Sequence, residues 1–410
     1  MEERKLTKAD IDKVRHIEGF PIAKDEDIIA LSRPPYYTAC PNPFIEEFIR
    51  ENGTPYDEAT DDYHREPFAA DVSEGKNDPI YNAHSYHTKV PHKAIMRYIL
   101  HYTEPGDIVF DGFCGTGMAG VAAQMCGYPD TAFRAQIESE MPEVHWGARN
   151  AILSDLSPAA TMISQNYSLT VNPETFAAEI DKIKQQCESE CKWLYKTTHV
   201  DESGRPILGL DQSPIEGRII NVIWSDVLVC PTCAAEFDFW HIGIDHVKGE
   251  TKSKFCCPRC NSELRKEDCT RKKTTYYDQA LGKTLEIALQ IPAVITYVVG
   301  TKRYSKSPDT TDLDLIHRIE QYEITDWFPT DMLPEGYNTD QPKKSHGVKY
   351  VHQFYTKRNL ICLSVLNRLI EKSAVPQTKF LLTGMLVRST KMSRVHIKKY
   401  FFGGGGVEWW

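Results

Sequence analysis

The sequence lacks any apolar run approaching the roughly 18 residues that a membrane span requires. Its opening residues, MEERKLTKAD, are too charged for a secretory signal, so we expect neither export nor a membrane partner and predict a cytoplasmic location. Internal repeats and long low-complexity tracts are also absent. With 410 residues, 41% of them hydrophobic, the composition is that of a globular chain with two or three domains.

Acidic residues outnumber basic residues overall, but positive charge is concentrated in one segment. The net charge is −9, and residues 1–80 contain 19 acidic against 10 basic residues. Residues 340–402 contain 13 basic against 2 acidic residues, with aromatic residues interleaved. Such a segment can follow a phosphate backbone, so it is a candidate contact for double-stranded DNA. Composition supports equally an exposed helix face whose charges pair with the acidic N-terminal region.

Twelve cysteines do not indicate a disulfide framework, because such frameworks belong to small secreted domains. Two Cys-Pro-x-Cys turns, Cys230–Cys233 and Cys257–Cys260, are typical of four thiolates arranged tetrahedrally about zinc. The sequence therefore predicts a structural Zn²⁺ held by Cys230, Cys233, Cys257 and Cys260. A redox Cys-x-x-Cys is disfavoured, because the motifs are paired and lack a thioredoxin-like context.

Other cysteines are expected to stand outside this metal site. Cys256 and Cys269 are predicted not to be ligands, although Cys256 could compete with Cys257. Cys187 and Cys191 are four residues apart on a predicted helix and share one face. We interpret them as free, buried or partly exposed thiols.

A glycine-rich turn follows a short predicted strand in DIVFDGFCGTGMAG, residues 107–120. A predicted helix and a second strand, AILSD at 151–155, complete the start of a doubly wound α/β sheet. The six residues GTGMAG satisfy the dinucleotide pattern, so an NAD-dependent oxidoreductase must be considered. However, Asp111 at the strand end would repel a pyrophosphate and suit a cationic amino-acid moiety. Asp155, at the end of the second strand, is placed to bind ribose hydroxyls.

The stretch Asp111–Gly117, DGFCGTG, resembles the D-x-F-x-G-x-G motif of S-adenosylmethionine-dependent amino-group DNA methyltransferases. The preceding YNAHSYHTKVPHKAI resembles the Lys-x-Pro motif that leads into a helix in that family. The likeness is close over residues 77–161 and extends to bacterial members with an internal zinc ribbon, which share PPYYTACPNPF-like and YNTDQPKKSHGV-like stretches. The resemblance implies S-adenosyl-L-methionine as cofactor, methylation of adenine N6 or cytosine N4, and a setting in restriction-modification or phage defence.

The same resemblance assigns residues to the cofactor site. Lys89 and Pro91 would border the methionine moiety, and Asp155 would take the ribose. The floor of the cofactor site would be formed by Asp111, Phe113, Gly115 and Gly117.

The family's catalytic Asp/Asn/Ser-Pro-Pro-aromatic motif does not occur in the sequence. In that motif the acidic or amide side chain accepts hydrogen bonds from the target amine, whose base has been flipped out of the duplex. At PPYY, residues 34–37, the preceding residue is Arg33, which has only donors. Asn42-Pro43-Phe44 has an acceptor but lacks the second proline. We therefore interpret PPYY as a turn.

The catalytic motif is accordingly expected beyond Trp410 or on a second chain, and the GGGGVEWW ending looks interrupted. The chain is predicted to be the cofactor-binding and recognition half of a longer or split enzyme. The alternative is a non-catalytic subunit that binds cofactor and DNA.

The predicted fold class is α/β, with an incomplete Rossmann-like doubly wound sheet and an inserted zinc ribbon. Four segments are predicted: an irregular arm at 1–76, a cofactor-binding half at 77–214, the zinc ribbon at 215–300, and a mixed helical, basic segment at 301–410.

Overall fold

A computed structural model describes residues 4–32, 34, 37, 39–86, 89–391, 395–397 and 401–402. The chain divides into two compact units, Met1–Asn172 and Pro173–Trp410. The four predicted segments stay a prediction. The GGGGVEWW ending lies outside the described residues, as do Arg33, Pro35 and Tyr36. Within the described ranges, no helix is long and apolar enough to cross a membrane.

The first unit combines helices with a parallel pair of strands. In chain order its elements are α1 (Lys8–Val14), α2 (Asp25–Leu31), α3 (Ile45–Asn52), α4 (Pro79–Asn82), α5 (His92–Tyr102), β1 (Ile108–Asp111), α6 (Met118–Met125), α7 (Thr131–Glu140), β2 (Asn150–Leu153) and α8 (Pro158–Ser168).

The parallel strands β1 and β2 are in register from Ile108 opposite Asn150 to Asp111 opposite Leu153. Alternate side chains of a strand point to opposite faces, and Val109 and Ala151 point to the helical core. Helices α5, α6 and α7 supply the rest of that core: Met96, Ile99, Leu100, Ala122, Ala123, Cys126, Phe133 and Ile137. The apolar positions of HKAIMRYILHYT recur at helical spacing and predict a helix, which is present as α5. The predicted strands at DIVFDG and AILSD are also confirmed, and helices α6 and α7 connect them.

The second unit is richer in strands. Its elements are α9 (Pro173–Cys191), β3 (Lys196–Thr198), β4 (Glu216–Val229), β5 (Glu236–Asp238), α10 (Phe239–Ile242), β6 (Ile244–Asp245), β7 (Glu250–Thr251), β8 (Phe255–Cys256), β9 (Glu263–Leu264), β10 (Thr270–Arg271), β11 (Lys273–Asp278), β12 (Lys283–Ala288), β13 (Gln290–Val299), β14 (Lys302–Lys306), α11 (Thr310–Gln321), α12 (Tyr337–His346), α13 (Lys357–Glu371), α14 (Thr378–Leu386), β15 (Val395–His396) and β16 (Phe401–Phe402).

The long strand β4 is the centre of the second unit. The main antiparallel sheet has the order β10-β4-β13-β14, and β3 and β5 also pair with β4. Apolar residues around β5, α10 and β8 form one core, which includes Phe237, Phe239 and Phe255. A second core lies between α9 and α13 and includes Ile183 and Leu366. Each core therefore holds a separate group of elements around the sheet.

The mixed α/β class expected from the sequence is confirmed, because both units contain helices and strands. The Rossmann-like topology stays a prediction, since in the described residues the parallel sheet has two strands. Asn172 as N-cap and Pro173 at the first helical position predict a helix that runs to about Tyr195. It is present as α9, followed by a 3-10 turn at Lys192–Tyr195.

Candidate functional site

Two carboxylates meet at the carboxyl edge of the parallel strands. Asp111 is the last residue of β1, and Asp155 lies two residues beyond the end of β2. Carboxyl ends of neighbouring parallel strands lie at one edge of a sheet, which is the usual ligand edge of open α/β folds. The Asp155 Oδ2 accepts the Gly115 amide at 2.9 Å, so Asp155 and the glycine turn are joined directly.

The backbone amides of the glycine turn are mostly engaged within the protein. Phe113 N–H donates to Asp111 Oδ1 at 3.1 Å, and Cys114 N–H donates to the Ser154 carbonyl at 2.9 Å. Gly117 N–H donates to the Cys114 carbonyl at 2.7 Å. The Gly115 amide is bonded to Asp155, so four amides of the turn already have partners within the protein. A dinucleotide site requires free amides that bind the phosphates, and these four are not available for that role.

Gly115 and Gly117 both occupy the left-handed backbone region, with φ of +51° and +77°. Gly117 is also the N-cap of α6, where a side chain would meet α8: an added Cβ would lie 2.2 Å from Ser164 Oγ. An added Cβ on Gly115 would lie 3.2 Å from the Tyr86 ring. The turn therefore requires glycine at both positions, for backbone conformation and for close packing.

Lys89 and Pro91 lie just before α5. Pro91 is its N-cap residue. The Lys89 ammonium donates to the carbonyls of Tyr81 and His84 and lies 4.0 Å from the centre of the Tyr81 ring. Burial lowers the pKa of Lys89. In this structure Lys89 fixes the segment before α5, and its predicted place beside a methionine moiety stays a prediction.

Exposed apolar side chains accompany the two carboxylates. Phe113 is 85% exposed and Leu156, next to Asp155, is 91% exposed. Apolar groups beside carboxylates suit a ligand with a flat, apolar ring and polar substituents. Sequence reasoning did not single out Leu156 or Tyr86. The position of Leu156 directly after the strand-end Asp155 was the available signal.

The Pro34–Tyr37 segment has the contacts of a structural turn in its described residues. Tyr37 is buried with Leu6, Ile11 and Ile28, and its hydroxyl donates to the Arg4 carbonyl at 2.7 Å. The Tyr37 ring therefore packs in this small hydrophobic core and is not exposed for contact with a base. Asn42 Oδ1, the acceptor noted in PNPF, accepts the Phe44 amide at 2.9 Å immediately before α3.

The four predicted zinc ligands are brought together in the second unit. Each Cys-Pro-x-Cys turn is closed by an amide four residues beyond its first cysteine: Ala234 N–H donates to the Cys230 carbonyl, and Asn261 N–H to that of Cys257. Ala234 and Asn261 both have positive φ, at 56° and 58°. The two turns are therefore the same local structure used twice, which is what a pair of zinc knuckles requires.

The sulfur geometry of this cluster fits a tetrahedral metal ion. All four Sγ atoms lie within 4.8 Å of one another, with Cys230–Cys260 at 3.8 Å and Cys233–Cys257 at 3.7 Å. A tetrahedron with zinc–sulfur bonds of about 2.3 Å has edges of about 3.8 Å. The Ser262 hydroxyl oxygen lies 3.2 Å from Cys260 Sγ, so it supports this sulfur from outside the cluster. Cys257, and not Cys256, takes part in the cluster.

Many basic residues of the 340–402 segment are paired inside the second unit. Lys344 contacts Asp340 at 2.9 Å, and Lys379 contacts Glu371 at 2.7 Å. Arg368 contacts Glu190 on α9 at 2.6 Å. The acidic partners in these three pairs all belong to the second unit. Arg394, Lys398 and Lys399 lie outside the described residues.

Residues 26–129 match a family model described as DNA methylase, of the N6 and N4 type. The matched range is about a quarter of the chain and includes the Pro34–Tyr37 segment, α5, β1 and the glycine turn. The match supports an amino-group methyltransferase family, with a DNA methyltransferase as the class of enzyme and DNA as its substrate. Such an enzyme implies S-adenosylmethionine as methyl donor. No curated protein and no solved structure matches the chain.

Proposed function

We propose that the chain binds S-adenosyl-L-methionine at the carboxyl edge of β1 and β2 and takes part in methylation of adenine N6 or cytosine N4 in DNA. The observation that carries this proposal is the hydrogen bond between Asp155 and the Gly115 amide, which places a second carboxylate on the glycine turn after Asp111. The family match over residues 26–129 supports the reaction class. The cofactor supplies an electrophilic methyl group, and the chain supplies its binding and orientation.

The negative charge of the two carboxylates and the hydrogen bonds already made by the turn's backbone amides favour this cofactor over NAD. Asp111 and Asp155 would repel a pyrophosphate, whereas the methionine end of the proposed cofactor bears cationic groups. The remaining oxygen of Asp111, Oδ2, makes no hydrogen bond with the described residues and can accept from an ammonium group. Each Asp155 oxygen accepts one amide, from Gly115 and from Ser157, and a carboxylate retains further lone pairs for ribose hydroxyls.

The finer points of the proposal are that the cysteine turns bind structural zinc and that the catalytic motif lies on a second chain or a further segment. Arg33 has no acceptor, and Tyr37 and Asn42 are engaged in local structure. This observation also favours the second candidate function, a non-catalytic subunit that binds cofactor and DNA. Both candidates predict cofactor binding without transfer by this chain alone, and they differ in whether a polypeptide that carries the Asp/Asn-Pro-Pro-aromatic motif restores methyl transfer.

The test is calorimetric titration of the full chain with S-adenosylmethionine and, as a matched ligand, NAD. A tritium-transfer assay on unmodified double-stranded DNA follows. Binding of S-adenosylmethionine without transfer supports the cofactor site and a catalytic motif that lies on a second chain or a further segment. Binding with transfer would show that PPYY or PNPF acts in catalysis and that their interpretation as turns is wrong. Binding of NAD alone would overturn the proposal.

A further inference from the structure

A second group of cysteines lies between α9 and α13, far from the Cys-Pro-x-Cys turns in sequence. Cys187 and Cys191 are one turn apart on α9, and Cys362 faces them from α13. Their three Sγ atoms all lie within 4.8 Å of one another. The three residues converge although 175 positions separate Cys187 from Cys362.

The spacing in this group equals that of the predicted zinc ligands. Cys187 Sγ and Cys362 Sγ are 3.8 Å apart, and the corresponding distances in the four-cysteine cluster are 3.7 and 3.8 Å. A disulfide requires about 2.05 Å between sulfur atoms, so the three thiols are not bonded to one another. A separation of about 3.8 Å is the edge of a tetrahedral zinc–thiolate site.

The surroundings supply an oxygen donor beside the three sulfur atoms. The Tyr195 hydroxyl donates to Asn359 Oδ1 at 3.1 Å, and Tyr195 packs against the same core as the three cysteines. Because its single proton is directed to Asn359, its lone pairs remain for another partner. Tyr195, Asn359 and Cys362 therefore form one polar group beside an otherwise apolar core.

A buried positive charge lies next to this group. Arg358, one turn before Cys362 on α13, is 8% exposed, and its Nε has no hydrogen-bond partner among the described residues. Its guanidinium carbon lies 5.8 Å from the centre of the Tyr195 ring. Three thiolates with one divalent cation have a net charge of −1, and a buried charge requires a partner. Arg358 is placed to provide that partner.

We infer that Cys187, Cys191 and Cys362 form a second structural metal site, which binds Zn²⁺ and cross-links α9 to α13. The fourth ligand is the Tyr195 hydroxyl or a water molecule. Metal binding releases the thiol protons, because the thiolate is the ligand. This inference does not depend on the proposed methyl-transfer function, although the zinc count expected below includes the four-cysteine site proposed above.

The test is the zinc content of the purified, reduced full chain and of two cysteine variants. We expect two zinc ions per wild-type chain, and one in either Cys362→Ala or Cys230→Ser. The double variant should hold none. If the chain is isolated without metal, titration of the reduced chain with Zn²⁺ should give a stoichiometry of two. One ion per wild-type chain, unchanged by Cys362→Ala, would overturn the inference.

A matched control separates metal loss from damage to the core. Leu366→Ala removes a buried side chain one turn further along α13 and should leave two zinc ions bound. If Cys362→Ala does not fold, zinc-edge X-ray absorption of the wild type decides. Two ions with an average of fewer than four sulfur ligands support the inference, and one ion with four sulfur ligands contradicts it. A native intact mass lower by two hydrogens would indicate a disulfide instead and would also overturn it.

Discussion

The carboxylate of Asp111 is the residue on which the proposed cofactor site depends most. Its Oδ1 holds the Phe113 amide, and the rest of the group faces the edge where β1 and β2 end. A carboxylate there can bind a ligand ammonium through a charge-assisted hydrogen bond, which contributes about 1.5–3 kcal/mol.

We predict that Asp111→Asn weakens S-adenosylmethionine binding about 10- to 100-fold, as measured by titration calorimetry. Asn retains the shape and can still accept the Phe113 amide, so the loss reports the charge. Asp107→Asn, just before β1, is the matched control and should bind normally. Zinc content should be unchanged in both variants. Normal cofactor binding by Asp111→Asn would show that the cofactor lies elsewhere.

Gly117 tests the close packing of the glycine turn. Gly117→Ala places a Cβ 2.2 Å from Ser164 Oγ and also strains a backbone with φ of +77°. We predict a loss of several kcal/mol in the free energy of unfolding, measured with urea. Gly106→Ala has φ of +91° and open space around the added Cβ, so it should cost about 1–2 kcal/mol from strain alone. Equal losses would mean that α6 and α8 do not approach closely.

His92 and His84 make stability depend on pH. Both are buried, and burial lowers the pKa of each below its usual range. A histidine with a lowered folded pKa binds more protons when unfolded, so its stabilising contribution is present above about pH 6.5 and falls as the pH decreases below it. We expect this loss between pH 6.5 and pH 5.

The measurement is the free energy of unfolding in urea for the wild type and for His92→Gln. Unfolding is monitored by circular dichroism at several pH values from 7.5 to 5. Each histidine contributes a slope of at most about 1.4 kcal/mol per pH unit. The variant should show a smaller slope, whatever its stability at pH 7.5. Comparison between the two proteins cancels titration of the cysteine clusters. Identical slopes would show that His92 is readily protonated in the folded chain.

At the scale of elements, the two Cys-Pro-x-Cys turns are flanked by short strands, and their four sulfur atoms lie close together. Strands β8 and β9 have two residues each, and β5 has three. Such strands have little pairing of their own, and a bound metal would supply folding energy.

Cys230→Ser is predicted to release about one zinc ion per chain and to lower stability by several kcal/mol. Zinc is measured by elemental analysis, and stability by thermal unfolding. Cys256→Ser, an exposed cysteine next to Cys257, is the matched control and should keep its metal. Metal loss from Cys256→Ser with none from Cys230→Ser would require a different ligand set.

For the whole molecule, the uneven distribution of charge is more informative than the net charge of −9. Several basic residues of the 340–402 segment have acidic partners, but Lys349 and Lys372 are exposed and have no ion pair among the described residues. They are the better candidates for phosphate contacts.

We predict that the variant with both Lys349→Glu and Lys372→Glu binds double-stranded DNA at least 10-fold more weakly, as measured by fluorescence anisotropy at low salt. The slope of log affinity against log salt concentration should decrease by about 2, because two phosphate contacts are lost. Lys8→Glu with Lys24→Glu makes the same change in net charge within the acidic N-terminal region. An equal loss in that control would attribute the effect to overall charge.

The sequence by itself determined the local features of this protein. Strand, glycine turn and helix at 107–125 and the two cysteine turns were all predicted, because each depends on residues within a few positions of one another. The four sulfur atoms converge as the spacing indicated, since a short hairpin can bring two such turns together.

Only the tertiary structure decided which distant groups meet. Asp155 reaches the Gly115 amide across 40 positions, and Cys362 joins Cys187 across 175. The Lys89 ammonium turns to the carbonyls of Tyr81 and His84, and the acidic partners of the basic segment come from the second unit. No periodicity or spacing encodes these contacts, because they arise when separate helices and strands pack their apolar faces and bring polar groups together at the edges.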